Sequence, residues 1–205
     1  MSPDRKIGVL GGTFDPIHLG HLTLAREAMR GAGLERVLLV PSGEPPHRAG
    51  ALAPACDRLA MVGIAVATQP GLSVWSGEVH RQGPSRTFDT LAQLHQIFDP
   101  VGLCFILGSD AARELPSWHR YPDILELATF LVMDRPGERS ITDLELGSLG
   151  LASFNRGAGD DSQLIQVAAT DIRARLAARQ QLDDLVPPAV ADYIRINGLY
   201  DFPPP

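Results

Sequence analysis

Gly11-Gly12-Thr13-Phe14-Asp15-Pro16-Ile17-His18-Leu19-Gly20-His21 stands between two segments of opposite periodicity. Before it, Ile7 to Leu10 is a short apolar run, the pattern of a buried strand. After it, Leu22, Ala25 and Met29, with Leu24 and Ala28, recur at helical spacing. The stretch is therefore a strand–loop–helix junction. In an open parallel sheet such a junction lies at the carboxyl end of a strand, where ligands bind. Gly11 and Gly12 carry no side chain, so backbone N–H groups there can approach phosphate oxygens, and the helix start adds a partial positive charge. His18 and His21 are three residues apart, which puts both imidazoles on one face of the first helical turn, with Gly20 leaving that face open. A metal reading of the pair is weaker, because only Asp15 stands nearby as a third ligand.

Working outward, Arg36 to Pro41 reads as a second buried strand, completing a βαβ unit with a right-handed crossover. Ser42 to Pro54 is a Gly- and Pro-rich loop whose Pro45-Pro46-His47-Arg48 places two cations at the sheet's carboxyl edge. Ala55 to Thr68 has helical spacing; Leu72 to Trp75 and Gly77 to His80 are short strand candidates. A helix opens near Thr87 and runs to about Phe98, with Ser85 or Thr87 expected as its N-cap. Val101 to Leu107 is the most apolar segment and the expected central strand, ending in Gly108-Ser109-Asp110. Asp110 is placed to accept from a ribose hydroxyl, as acidic residues do in dinucleotide folds. Trp118, set among Pro116, Ser117 and His119, suits a pocket wall on which a flat ring could stack.

Tyr121 to Ala128 reads as a short helix and Thr129 to Met133 as a further strand. Residues 138 to 163 lose all periodicity and read as a variable surface excursion, with Leu164 to Val167 as the last strand. Thr170-Asp171-Ile172-Arg173 caps and begins a helix; amides at its start, Thr170 and Arg173 together could hold a polyphosphate. Val186 to Ile194 starts a final helix with Pro at its first turn, and residues 201 to 205 form a loose tail. The whole reads as one domain over residues 1–205, an α/β fold with a doubly wound parallel sheet and helices on both faces.

Composition narrows the function classes. The chain has 205 residues, 44% of them apolar, and 18 basic against 24 acidic side chains give a net charge of −6. That balance argues against a nucleic-acid partner. Cys56 and Cys104 fall in apolar runs and are expected as buried thiols. No signal-like segment opens the chain and no apolar run is long enough to span a bilayer, so no membrane partner and a cytoplasmic location are expected.

The eleven-residue stretch resembles the Gly-Gly-Thr-Phe-Asp-Pro-(Ile/Val)-His-x-Gly-His signature of the nucleotidyltransferases with a His-x-Gly-His motif. Pro45-Pro46-His47-Arg48, Thr87-x-Asp89-Thr90 and Gly108-Ser109-Asp110 also match that family in order, and within it they are similar to the nicotinate-nucleotide adenylyltransferases. The resemblance covers nearly the whole chain. It implies a Rossmann-like fold and adenylyl transfer from ATP to nicotinate mononucleotide, giving deamido-NAD and pyrophosphate in NAD biosynthesis. It further implies Mg²⁺ held mainly by the phosphates, with no protein metal ligands.

Carried onto this sequence, the catalytic residues would be His18, His21, Arg48 and Arg173. Gly11, Gly12, Thr13, Phe14, Gly108, Asp110, Thr170 and Ile172 would join His18, His21 and Arg173 in binding ATP. Asp15, Pro46, His47, Arg48, Thr87, Asp89, Thr90 and Trp118 would bind the mononucleotide. Two departures stand out. Arg86 occupies a position that is usually aromatic in the family, and Val167-Ala168-Ala169 replaces Ile-Ser-Ser ahead of Thr170. Rival readings are a transferase of the same superfamily acting on phosphopantetheine or the nicotinamide nucleotide, and a non-catalytic nucleotide sensor. The sequence leaves oligomeric state open, a homo-oligomer included.

Overall fold

The computed structural model describes residues 6–45, 51–99, 101–134, 139–151, 167–182 and 184–201. Strand β1 (Lys6–Gly12) enters helix α1 (Leu19–Gly31), which returns to β2 (Arg36–Pro41). Helix α2 (Ala55–Val66) leads to β3 (Leu72–Val74), and α3 (Gly77–His80) and α4 (Thr87–Phe98) lead to β4 (Gly102–Gly108). Helix α5 (Ser109–Glu114) precedes β5 (Thr129–Met133), and α6 (Asp143–Ser148), α7 (Ala169–Ala177) and α8 (Pro188–Ile196) follow.

All strand pairs are parallel, in the order β3-β2-β1-β4-β5. The chain builds outward from β1 through β2 to β3, then crosses back and builds β4 and β5 on the other side. The direction of winding therefore reverses between β1 and β4, the place where doubly wound sheets bind ligands. β1, rather than β4, is the central strand.

β1, β2, β4 and β5 are buried on both faces, β3 at the edge is only partly buried, and the faces alternate as the pleat requires. Leu10, Val37, Leu39, Cys104, Ile106, Leu131 and Met133 meet a core completed by α1, α2, α7 and α8. Ile7, Val9, Leu38, Val40, Leu103, Phe105, Leu107, Phe130 and Val132 face the opposite core, completed by α4, α5 and α6. Gly8 makes room for its neighbours, because a Cβ there would sit 2.8 Å from the Leu34 side chain and 2.9 Å from that of Val37.

Several expectations are corrected. Gly77–His80 is a short helix, not a strand, and a Cβ on Gly77 would lie 2.1 Å from the Trp75 ring. Tyr121 to Ala128 contributes only a 3-10 turn, Asp123–Glu126. Within the expected surface excursion, residues 139–151 fold back: Thr142 and Glu145 form a reciprocal cap on α6, and Ile141, Leu146, Leu149 and Leu151 are buried in the second core. Of the two thiols only Cys104 is buried, and burial raises its pKa to about 11, whereas Cys56 is exposed. Of the expected strand at 164–167 only Val167 is described, and it is not in a strand; of the expected tail at 201–205 only Asp201 is described, and it ends a 3-10 turn, Leu199–Asp201. Among the described residues no helix is long and apolar enough to cross a membrane.

Candidate active site

The signature loop is held from beneath by two buried groups of opposite charge. Asp15 is 7% exposed and its carboxylate accepts from the amides of Leu52 (2.8 Å) and Ala53 (3.1 Å) and from the Tyr200 hydroxyl (2.8 Å). Its carbonyl accepts from Arg173 Nη1 at 2.7 Å. Arg58, 1% exposed, donates to the carbonyls of Thr13 (2.7 Å), Gly43 (3.0 Å) and Ala53 (3.1 Å), and to Ser42 Oγ at 3.5 Å. Burial pulls the Arg58 guanidinium below its ordinary value and the nearby Asp15 opposes that shift. Burial, then the bond to Asp15, raises the pKa of the Tyr200 hydroxyl. The loops after β1 and β2 and the approach to α2 are thus fixed to one another by buried and partly buried hydrogen bonds, costly to leave unmade.

On this base His18 and His21 come together. His18 is the N-cap residue of α1, in extended conformation, and is 6% exposed; His21 lies half-buried one turn in. Their rings stack with centroids 3.6 Å apart, and the Phe14 ring stands edge-on to His21 at 4.9 Å. The backbone N–H of His18 donates to His21 Nδ1 at 3.3 Å. A neutral imidazole that accepts at Nδ1 carries its proton on Nε2, so His21 presents a donor on the side away from its own backbone. Phe14 reaches this position with φ = 50°, in the left-handed region, and a Cβ on Gly12 would lie 3.0 Å from its ring. Gly12 therefore makes room for Phe14, which seats His21.

Ser85 to Thr90 and Trp118, which include four of the residues expected to meet the mononucleotide, stand at the ends of neighbouring elements. Ser85 does not cap α4; its amide donates to Glu44 O (2.8 Å) and its Oγ accepts from Gly43 N (2.9 Å), tying this segment to the loop after β2. Arg86 is the N-cap residue, Thr87 the first helical residue, and no side chain caps the helix, Asp89 included. Thr90 is 2% exposed, and its hydroxyl donates to Glu78 (2.5 Å) and accepts from Arg81 (3.1 Å). Burial raises the Glu78 pKa, with the Thr90 and Ser85 hydroxyls and Arg81 opposing. Trp118 is half-buried and perpendicular to Phe105, centroids 6.0 Å apart.

Several expected site residues turn their side chains to partners within the fold. The side chains of Phe14, Asp15, Thr90 and Ile172 face the fold: Phe14 supports His21, Asp15 and Thr90 have internal hydrogen-bond partners, and Ile172 is 0% exposed in the core. Thr170 is the second helical residue of α7, with Ala168 as N-cap, so it does not cap. Gly108 caps the start of α5 by position and Asp110 is exposed on its first turn. Pro46, His47 and Arg48 lie outside the described residues. Neither Arg58 nor Tyr200 was expected in the site, since their partners are far away along the chain. Among the described residues no group of three or more His, Cys, Asp or Glu could hold a metal ion.

A doubly wound parallel sheet with paired histidines on the glycine-rich turn after its central strand defines a Rossmann-like nucleotidyltransferase. Residues 9–184 match the family described as cytidylyltransferase-like. A protein of Aeromonas hydrophila named "Probable nicotinate-nucleotide adenylyltransferase" is 41% identical, covering 95% of this chain and 96% of that one. One of the same name from Oceanobacillus iheyensis is 35% identical over 97% and 98% of the two chains. A nicotinic acid mononucleotide adenylyltransferase of Plasmodium falciparum, solved with APC and with NaAD, superposes with a TM-score of 0.79 in both forms. Those structures are 20% and 19% identical and cover 97% of this chain and 98% of theirs, a likeness of fold. The chain belongs to the cytidylyltransferase-like family, and within it to the nicotinate-nucleotide adenylyltransferases.

Proposed function

We propose that the protein transfers the adenylyl group of ATP to nicotinate mononucleotide, releasing pyrophosphate and forming deamido-NAD. The observation that carries this reading is the stacked His18–His21 pair, with His21 Nδ1 accepting from the His18 amide, at the carboxyl end of the central strand. The names of the full-length relatives supply the substrates.

A phosphate oxygen of the mononucleotide attacks the α-phosphorus in line; the new O–P bond forms as the bond to pyrophosphate breaks. The attacking phosphate is ionised near neutral pH, so no general base is needed. The protein's task is alignment and charge stabilisation. His21 and His18 donate to oxygens around the reacting phosphorus, and Arg173, one turn into α7, holds the leaving end. Arg48 would balance charge between the two substrates. Mg²⁺ comes with the triphosphate: Asp15, the carboxylate of the signature loop, already accepts three hydrogen bonds, so the donor set suits an ion held mainly by phosphates. When bound it neutralises charge on the triphosphate. A cytoplasmic location suits such a reaction.

The test is pyrophosphate release with ATP, Mg²⁺ and each candidate acceptor in turn. Turnover with nicotinate mononucleotide supports the reading. Turnover only with phosphopantetheine or a nicotinamide nucleotide moves the protein to another branch, and turnover with none makes it a nucleotide sensor.

A further inference from the structure

Arg86 is the feature of the site that the reaction leaves unexplained. An arginine cannot accept the helix amides that an N-cap side chain serves, and α4 has no side-chain cap. Its guanidinium instead extends to the turn that carries Trp118: Nη1 lies 3.3 Å from His119 Nε2. Among the described residues, six other arginines pair with carboxylates. Arg86 is half-buried, and its contact with a His119 ring nitrogen occupies one of its five donors and brings no carboxylate to it. The start of α4 adds the positive end of a helix dipole to the same place. Arg120, stacked on Phe88 at 3.7 Å, is a second cation beside it, though Asp123 neutralises that one. The opposing charges are Asp89 in the first turn of α4 and Glu78 behind it.

A cation between the start of a helix and an aromatic residue suits a flat ring bearing an anion. The ring lies on the indole, and a planar carboxylate meets the planar guanidinium fork. We propose that Arg86, positioned by His119, is a specificity-determining residue that recognises the carboxylate of the pyridine ring. This rests on the function proposed above, and goes beyond it by assigning the choice of acid over amide to a side chain that departs from the family's aromatic.

The discriminating quantity is the ratio of kcat/KM for nicotinate mononucleotide to that for nicotinamide mononucleotide, which does not depend on the fraction of enzyme folded. The full chain and its Arg86→Gln and Arg86→Lys variants are assayed at saturating ATP and Mg²⁺. Loss of a partly buried charge-assisted contact should lower the nicotinate value about tenfold or more in Arg86→Gln. The nicotinamide value should stay within about threefold, and Arg86→Lys should retain part of the preference. An unchanged ratio overturns the inference. So does an equal fall for both substrates, which would put Arg86 on the phosphate they share. A wild-type enzyme that turns over neither, or only the amide, overturns the proposed function and this inference with it.

Discussion

At the scale of single residues the site depends on tautomer and desolvation. His21 can donate from Nε2 because Nδ1 accepts the His18 amide, and that bond also shapes the first turn of α1. His18→Ala and His21→Ala should each lower kcat about a hundredfold, as removal of an oxyanion donor does. His18 is only 6% exposed, so His18→Ala should also lower Tm. His21→Asn separates the two roles. Its side-chain oxygen can accept the His18 amide while no ring donor remains, so Tm should hold within about 2 °C while kcat falls as in His21→Ala. Near-normal turnover in His21→Asn would remove the ring from the chemistry. Arg58 shows the limit of reading residues along the chain. In the apolar helix Ala55–Val66 it looks like a solvated charge, yet its acceptors come from Thr13, Ser42, Gly43 and Ala53. Only the fold brings those atoms together.

At the scale of elements, strands and helices with strong periodicity were legible: β1, α1, β2, α2, α4 and β5 stand within a few residues of where the pattern puts them. Two were not. In Gly77-Glu78-Val79-His80 an alternating tetrapeptide gives strand spacing, but Trp75 packs where a strand would continue and Glu78 turns inward to Thr90. Around α6 the legible signal was the cap, Thr142 followed three residues later by Glu145, which the low apolar content of 138 to 163 obscured. The buried Glu78 makes a testable link between α3 and α4. Because burial raises its pKa, the native protein holds this proton more tightly than the unfolded chain does. Its contribution to stability is therefore full below the ordinary carboxylate value of 4.5 and declines as pH rises through the raised native value. Glu78→Gln does not titrate. The Tm of Glu78→Gln minus that of wild type should therefore increase with pH across this window and then level off. A difference that stays flat or shrinks would show that Glu78 ionises without penalty in the folded protein.

Across the whole molecule, the site is assembled from residues at opposite ends of the chain. The sheet's reversal between β1 and β4 opens the cleft, and α7 with the 3-10 turn Leu199–Asp201 closes over the signature loop. Arg173 and Tyr200 both end on Asp15, one on its carbonyl and one on its carboxylate. This gives two variants that loosen the same loop, only one of which removes a cation. Arg173→Ala should raise KM for ATP at least tenfold, because a charge-assisted phosphate contact contributes about 1.5–3 kcal/mol. Tyr200→Phe removes one buried hydrogen bond, costing about 1–2 kcal/mol of stability, and should leave KM for ATP within about threefold. Ala168→Ser and Ala169→Ser restore hydroxyls at the start of α7. They should lower KM for ATP only slightly, since a neutral hydroxyl adds little beside an arginine. The four variants are compared by initial rates over a range of ATP at fixed Mg²⁺ excess, with Tm recorded for each. If Tyr200→Phe raises KM as much as Arg173→Ala, Arg173 acts by holding the loop at Asp15 rather than by binding phosphate. A rise confined to Arg173→Ala, with Tm falling in both, puts its guanidinium on the triphosphate.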